Sequence, residues 1–501
     1  MDWQGINQPM AMYVLYPASR EGRNDNWLTQ RDVGQMTPIS MLPDEVLLEI
    51  FDFCADEVQS TKKQIEAWHS LAHVCRQWRR IVFGSSRRLN LRLLCTPGTP
   101  TRNTLDVWPA LPLLIWGEDF ASGMDDIVAV LASRSSHVCQ IKLAGLQSSQ
   151  LKEVSAAMQE PFPELTHLEL WSYDETAPVL PNSFSGGSIP SLRFLWLARI
   201  PFPGLPKLLL SATHLVDVHL WGIPHSGYVP PDVIVIALST LTNLESLSLK
   251  FQSPRSRPEY RPSHSLPRSA LPVLKYFWFK GVSEYLNYLV EGIDAPQLEY
   301  LDICFFNQLI FNTPSVLQFI SRTPTLNKPE KAHLSFESGA ARVDLSSQTP
   351  GHGELIVEIS CMESDWQLSS LEQVCTSSLP RSRFSKLEDL CIFERPSLQP
   401  DWHDNIESRQ WLELLHPFIH VKNLYLSEVF ASRIVPALIE EPIQRPIKLE
   451  MTYVLPALQN VFLEGFQPSG PMQKAIGQFI AAREATGRTI AVSRWNKRSR
   501  L

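Results

Sequence analysis

Leu165-Thr166-His167-Leu168-Glu169-Leu170 carries leucines at its first, fourth and sixth positions. That spacing suits a short strand: the leucines enter a core, and the residues between them face the opposite side. It recurs at Val138/Ile141/Leu143, Leu192/Leu195/Leu197, Leu215/Val218/Leu220, Leu244/Leu247/Leu249, Leu274/Phe277/Phe279 and Leu298/Leu301/Ile303. The starts lie 27, 27, 23, 29, 30 and 24 residues apart, so one strand is expected per repeat, with neighbours paired in parallel. Lys331/Leu334/Phe336 is a degenerate copy, and Leu355 to Ser360 reads as a strand out of pattern. Leu387/Leu390/Ile392, Val421/Leu424/Leu426 and Leu458/Val461/Leu463 follow at wider spacing. Amphipathic pieces at Pro231 to Leu241, Ser283 to Ile293, Ser315 to Ser321, Ile406 to Ile419 and Phe430 to Ile439 are expected to cover the back of the sheet as helices. A last helix over Gly470 to Thr486 and a strand over Thr489 to Ser493 would close the array.

The pattern resembles the degenerate leucine-rich repeats of F-box proteins, because the Asn that closes a strict repeat is mostly absent. It implies an α/β chain whose main body, residues 89–501, is a curved solenoid with a parallel sheet and outer helices. The residues alternating with the core leucines would form the exposed strand face: His167, Glu169, Trp171, Phe194, Trp196, Asp217, His219, Trp221, Tyr276, Trp278, Lys280, Tyr300 and Asp302. Seven of the thirteen are Trp, Tyr or Phe, which anchor interfaces because they bury much area with few rotamers to freeze. Trp171, Phe194, Trp196, His219, Trp221, Tyr276, Trp278 and Tyr300 are therefore the candidate target-binding set. The alternatives are that these rings stack on one another, or that the register is off by one and they face the core.

Upstream stands Pro38-Ile39-Ser40-Met41-Leu42-Pro43-Asp44-Glu45-Val46-Leu47-Leu48-Glu49-Ile50-Phe51. Pro43 has no N–H to lose and suits a helix start, and Asp44 and Glu45 put negative charge at the positive end of the dipole. Leu47, Ile50, Phe51 and Cys54 share a helical period, as do Leu71, Val74, Cys75, Trp78, Ile81 and Val82, so two amphipathic helices are expected. A segment of about 45 residues buries too little apolar area to stand alone, and something must cover it.

The combination Leu-Pro-x-Glu, then Ile-Phe, then Val-Cys-Arg-x-Trp resembles the F-box over Pro38 to Phe83, and the basidiomycete fungal type in particular. The resemblance implies docking on a Skp-type linker, and through it on a cullin, by Leu42, Pro43, Leu47, Ile50, Val74 and Trp78. The segment from Asp52 to Trp68 is longer than usual in that family. An ordinary helical hairpin packed on the chain's own body is the competing reading.

In 501 residues, 44% hydrophobic and 19% charged side chains describe a globular composition. The net charge of -7 argues against a general nucleic-acid binder, although Arg76, Arg79, Arg80, Arg87, Arg88 and Arg92 crowd the end of the F-box-like stretch and read as a solvated helix face. Eight cysteines without a CxxC pair match neither a disulfide scaffold nor a zinc module. No apolar run reaches the length of a membrane span, so a soluble cytoplasmic or nuclear protein is expected.

Residues 1–36 read as a mobile leader and 37–88 as the F-box. The Pro-, Arg- and Ser-rich stretch 251–271 reads as a loop, and Arg494 to Arg500 as a solvated basic tail. Cys54 and Cys75 are placed on apolar helix faces, where a thiol is inert. His69/His73 and His416/His420 have the spacing of zinc ligands but lack the Glu of the metalloprotease pattern, and no phosphate loop or nucleophile elbow occurs. No enzyme, metal or cofactor is expected. The composite reading is a substrate-recognition adaptor of a Skp-cullin-F-box ubiquitin ligase, holding an unidentified protein target on its strand face. A non-ubiquitinating interaction scaffold built from the same parts is the alternative.

Overall fold

The computed structural model describes residues 39, 42–56, 68, 70–97, 110–118, 123–255, 268–311, 313–326, 329–347, 353–379, 381–395, 407–439, 454–465, 472–485 and 487–495. The expected leader, most of the lengthened segment after Asp52, His69, and the middle of the 251–271 loop lie outside these residues. The chain divides into two compact units, Met1–Leu89 and Asn90–Leu501.

In the first unit, α1 spans Asp44–Asp56, and its first turn closes on the Pro43 carbonyl, which accepts from Val46 N at 3.0 Å and Leu47 N at 3.1 Å. Leu47 and Phe51, one turn apart, are fully buried, and the Phe51 ring lies 4.8 Å from that of Trp78. The single helix expected over residues 71–82 is broken. Residues 70–74 are helical, Cys75 is extended (φ -156°, ψ 173°), and α2 runs Arg76–Gly84 with Ile81 and Val82 inside. Cys75 is an N-cap whose Sγ accepts from Trp78 N at 3.5 Å, so its thiol is exposed rather than packed on the apolar face.

The arginines also differ from a merely solvated row. Arg88 bridges Glu49 and, at 3.3 Å, Asp52, Arg80 pairs with Asp44 at 3.4 Å, and Arg79 Nε donates to Ala72 O at 2.9 Å. The ion pairs are solvent-exposed and add little energy, but they tie α1 to the helix end that follows.

The second unit contributes, in chain order, β1 (Leu93–Cys95), β2 (Leu113–Glu118), β3 (Val138–Leu146), β4 (His167–Ser172), β5 (Phe194–Ala198), β6 (Asp217–Ile223), β7 (Ser246–Phe251), β8 (Ser269–Ala270), β9 (Tyr276–Gly281), β10 (Ile293–Asp294), β11 (Tyr300–Phe306), β12 (Lys331–Glu337), β13 (Ala340–Ser346), β14 (Glu354–Ser360), β15 (Asp389–Glu394), β16 (Asn423–Leu426), β17 (Asn460–Glu464) and β18 (Ala491–Trp495). Among the described residues sixteen of these form one sheet, in the order β1-β2-β3-β4-β5-β6-β7-β9-β11-β14-β13-β12-β15-β16-β17-β18, while β8 and β10 pair separately.

Each expected repeat strand is present, and its leucines align across the sheet, as in Leu168↔Leu195, Leu195↔Val218 and Val218↔Leu247. From β3 through β11 the paired core residues are at most 4% exposed, so the leucines point inward and the register is the expected one. Each such side chain contributes roughly 2 kcal/mol on burial.

The expectation of parallel pairing throughout fails at one place. β12 does not join β11; it pairs antiparallel with β13, which pairs antiparallel with β14, and β14 joins β11 in parallel. The cause is local: only Ser338 and Gly339 separate β12 from β13, a connection too short for a parallel crossover. The chain therefore doubles back, and β12 resumes the parallel run by pairing with β15.

Helices cover the other side of the sheet: α3 (Met124–Ser133), α4 (Ser148–Ala157), α5 (Leu205–Ser211), α6 (Pro231–Leu238), α7 (Ser283–Glu291), α8 (Pro314–Arg322), α9 (Ser364–Gln373), α10 (Ser408–Leu415), α11 (Glu428–Ile439) and α12 (Met472–Ala485). Neighbours pack side by side, as α5 on α6, α6 on α7 and α7 on α8. The C-terminal strand reaches past the expected Ser493, and Trp495 is buried with its ring 5.6 Å from Tyr425, so the stretch taken for a basic tail begins inside the sheet.

Tyr285 on α7 shows how helix and strand layers are locked. Its ring is buried 4.6 Å from Phe251, and its hydroxyl donates to Val229 O at 2.9 Å. Tyr285→Phe keeps the ring and orphans the carbonyl, so a loss of about 1 to 2 kcal/mol is expected in urea unfolding. An unchanged midpoint would show that the hydrogen bond adds nothing.

Candidate interaction surfaces

Two surfaces carry the residues expected to make contacts. On the first unit, Val46, Ile50 and Phe53 fall at i, i+4 and i+7 of α1 and are 41%, 39% and 65% exposed, and Val74 is 59% exposed. Ile39 and Pro43 are exposed as well, while Leu42 and Trp78 are half-buried. Of the expected docking residues, Pro43, Ile50 and Val74 thus lie on the surface. Leu47 does not: it is fully buried with Phe51 on the adjoining flank of α1 and belongs to the unit's own core.

Val46 and Phe53 were missed by sequence reasoning. The available signal was that α1 is apolar at 46, 47, 50, 51 and 53, more than one face of a helix can bury in so small a unit.

The second surface is the strand face. Because register is kept from β4 to β11, the residues between the leucines line up in rows. One row runs His167, Phe194, Asp217, Ser246, Tyr276, Tyr300, and the next Glu169, Trp196, His219, Ser248, Trp278, Asp302. The rings do stack on one another while remaining part of the surface. His167 lies face to face with Phe194 at 4.1 Å, Trp196 is 5.1 Å from Trp221, Tyr276 is 5.8 Å from Trp278, and Trp278 is 5.6 Å from Tyr300. His219 sits among them, 5.9 Å from Trp196 and 6.2 Å from Trp278. Burial and the Lys250 charge hold its imidazole below the usual range, so it joins the strip as a neutral ring at neutral pH. Trp171 and Tyr276 are the most open members, the other rings are half-buried, and Glu169, Ser246 and Ser248 are buried.

Charges edge the strip. Trp221 donates from Nε1 to Ser248 Oγ at 2.9 Å and carries Lys250 Nζ 4.5 Å above its ring. Burial pushes the Glu169 carboxyl up, but His167 and Lys142 (3.3 Å) outweigh it and hold the group below its ordinary value.

Among the described residues no three His, Cys, Asp or Glu side chains converge on a metal position, and no helix is long and apolar enough to cross a membrane. His416 caps the end of α10 through its backbone N–H. A small hollow lined by Leu197, Phe202, Leu220, Ile234, Phe251 and Tyr285 offers apolar walls, and the Tyr285 hydroxyl there is already satisfied. Burial pushes the thiols of Cys95 and Cys375 up to about 11 and about 12, away from nucleophilic character.

The family description "F-box-like" matches residues 39–92, so the N-terminal unit carries an F-box-like domain. F-box-like domains are typically interaction modules. Among solved structures the chain is similar to the leucine-rich repeat-containing protein LegL7 of Legionella pneumophila, with 14% identity over 78% of this chain and 97% of that one and a TM-score of 0.27. A comparison with curated proteins finds no significant match.

Proposed function

We propose that the chain is a substrate-recognition adaptor of a Skp-cullin-F-box ubiquitin ligase, of the basidiomycete type its sequence resembles, working in the cytoplasm or nucleus. In this reading Pro43, Val46, Ile50, Phe53 and Val74 meet the Skp-type linker, with Leu42 and Trp78 at the margin, and the strand face holds a protein target. The observation that carries it is the uncovered apolar stripe of α1 inside an F-box-like domain. A unit this small with Val46, Ile50 and Phe53 facing water is completed by a partner. The adaptor supplies position rather than chemistry, since holding a target close to an activated group converts a bimolecular step into an effectively unimolecular one.

The test combines capture with reconstitution. Trp196→Ala with Trp278→Ala is expected to lower capture of the chain's cellular partners at least about tenfold while sparing linker binding, as expected when two aromatic anchors are removed. A captured set unaltered by these substitutions, with the fold intact, moves target recognition off the strand face. A captured partner that gains ubiquitin only when linker and cullin are added supports the ligase. One that binds and is never modified supports the non-ubiquitinating scaffold.

A further inference from the structure

Three rings of the strand face carry a lysine of the chain itself: Lys142 lies 5.6 Å from the Trp116 ring, Lys250 4.5 Å from Trp221, and Lys280 5.7 Å from Phe306. Between them lies a corner that has the rings without the cation. Tyr276 and Trp278 are near-parallel (14°) at 5.8 Å, and Tyr300 closes on Trp278 at 5.6 Å and 47°. Tyr276 is 40% exposed, so the corner is open.

Two carboxylates border it. Asp302 is the register partner of Trp278 on the next strand, and Glu354 is the register partner of Tyr300. Among the described residues no Lys or Arg nitrogen lies within ion-pair distance of either, and no cation lies over these three rings. Arg342, whose charge both acids feel, is ion-paired with Asp344, while Lys250 and Lys280 sit over other rings. Burial is the main cause that raises both carboxyls; Glu358 and Asp344 add to it at Asp302 and Asp344 at Glu354, while the more distant charges of Arg342, at both, and Lys250, at Asp302, only partly offset it. They are desolvated acids with no contacting counter-charge, beside ring faces that attract cations.

Building on the strand-face reading above, we infer that the Tyr276, Trp278 and Tyr300 corner, with Asp302 and Glu354, is a seat for a cationic side chain, an arginine or lysine, of the bound protein target. A guanidinium laid on Trp278 would meet ring faces and both acids together, which a neutral or acidic side chain cannot.

The test uses the full chain labelled with 5-fluorotryptophan, its Trp278 fluorine resonance assigned by Trp278→Phe. The probes are Nα-acetyl-arginine methylamide and its neutral isostere Nα-acetyl-citrulline methylamide. The arginine probe is expected to shift the Trp278 resonance saturably, with an affinity about tenfold above that of the citrulline probe. Asp302→Asn with Glu354→Gln should erase that preference while leaving the other tryptophan resonances in place, which shows that the fold is kept.

Equal response to both probes, or a Trp278 resonance that moves with neither, overturns the inference. The wider reading fails separately: partner capture that survives Trp196→Ala with Trp278→Ala removes the strand face as the target platform, whatever the arginine probe does.

Discussion

Ile50→Asp combined with Val74→Asp is expected to abolish capture of a Skp-type linker by the full chain, a loss of at least about 100-fold. Both side chains are exposed in the free unit, at 39% and 59%, so a carboxylate at either position meets water and leaves the fold intact. In the complex the same carboxylates would be buried without a partner. Each stranded charge costs several kcal/mol, and two together exceed the roughly 2.7 kcal/mol that a 100-fold loss represents. Circular dichroism should be unchanged, which separates this variant from Leu47→Asp. Leu47 is fully buried against the unit's own interior, and a charge there should unfold α1 and α2 before any linker is offered. Undiminished capture by the double variant would contradict the assignment of this face.

The largest effect on stability is expected at Trp411. It is 1% exposed on α10, its ring lies 6.2 Å from Phe336 and 5.5 Å from Phe430, and those two are 5.2 Å apart. Phe336 belongs to β12, the strand that leaves the parallel order, so this cluster joins the doubled-back strands to the repeats that follow. Trp411→Ala removes the indole from a packed site and is expected to cost about 4 kcal/mol. Because each repeat leans only on its neighbours, the loss should be local. Limited proteolysis read by mass spectrometry should find new cleavage within residues 330–440 while β3 to β9 stay protected. An unfolding free energy in urea within about 1 kcal/mol of wild type would show that the cluster is not what joins these repeats.

The repeat strands were legible because each satisfies two periods at once, the alternation within a strand and the spacing of its starts, and tertiary packing preserved both. The doubled-back insertion was not legible. Ala340-Ala341-Arg342-Val343-Asp344-Leu345 opens on two alanines that blur its alternation, and the Ser338-Gly339 turn is a weak signal until its flanks are known to pair. Helices α3, α4, α5 and α9 were not expected; at seven to ten residues they are about as long as α6, α7, α8 and α10, which were, and all of these owe their stability to the sheet beneath them.

On the interaction surfaces, the strand-face rows followed from the strand period, whereas the assignment of Leu47 did not hold. Leu47 and Ile50 lie about 300° apart around α1, equivalently 60°, and sequence alone does not say where the core boundary falls between them. Cys75 was misplaced because a cap and a buried apolar position look alike when a helix is assumed to be continuous.

The central claim, that the F-box-like unit is finished by a partner while the strand face stays open for another, is tested most directly by hydrogen–deuterium exchange. The full chain is compared with and without a stoichiometric recombinant Skp-type linker. The account predicts slowed exchange in residues 42–53 and 70–83 and unchanged exchange from β4 to β11. Slowing on the strand face, or none in the N-terminal unit, would contradict it.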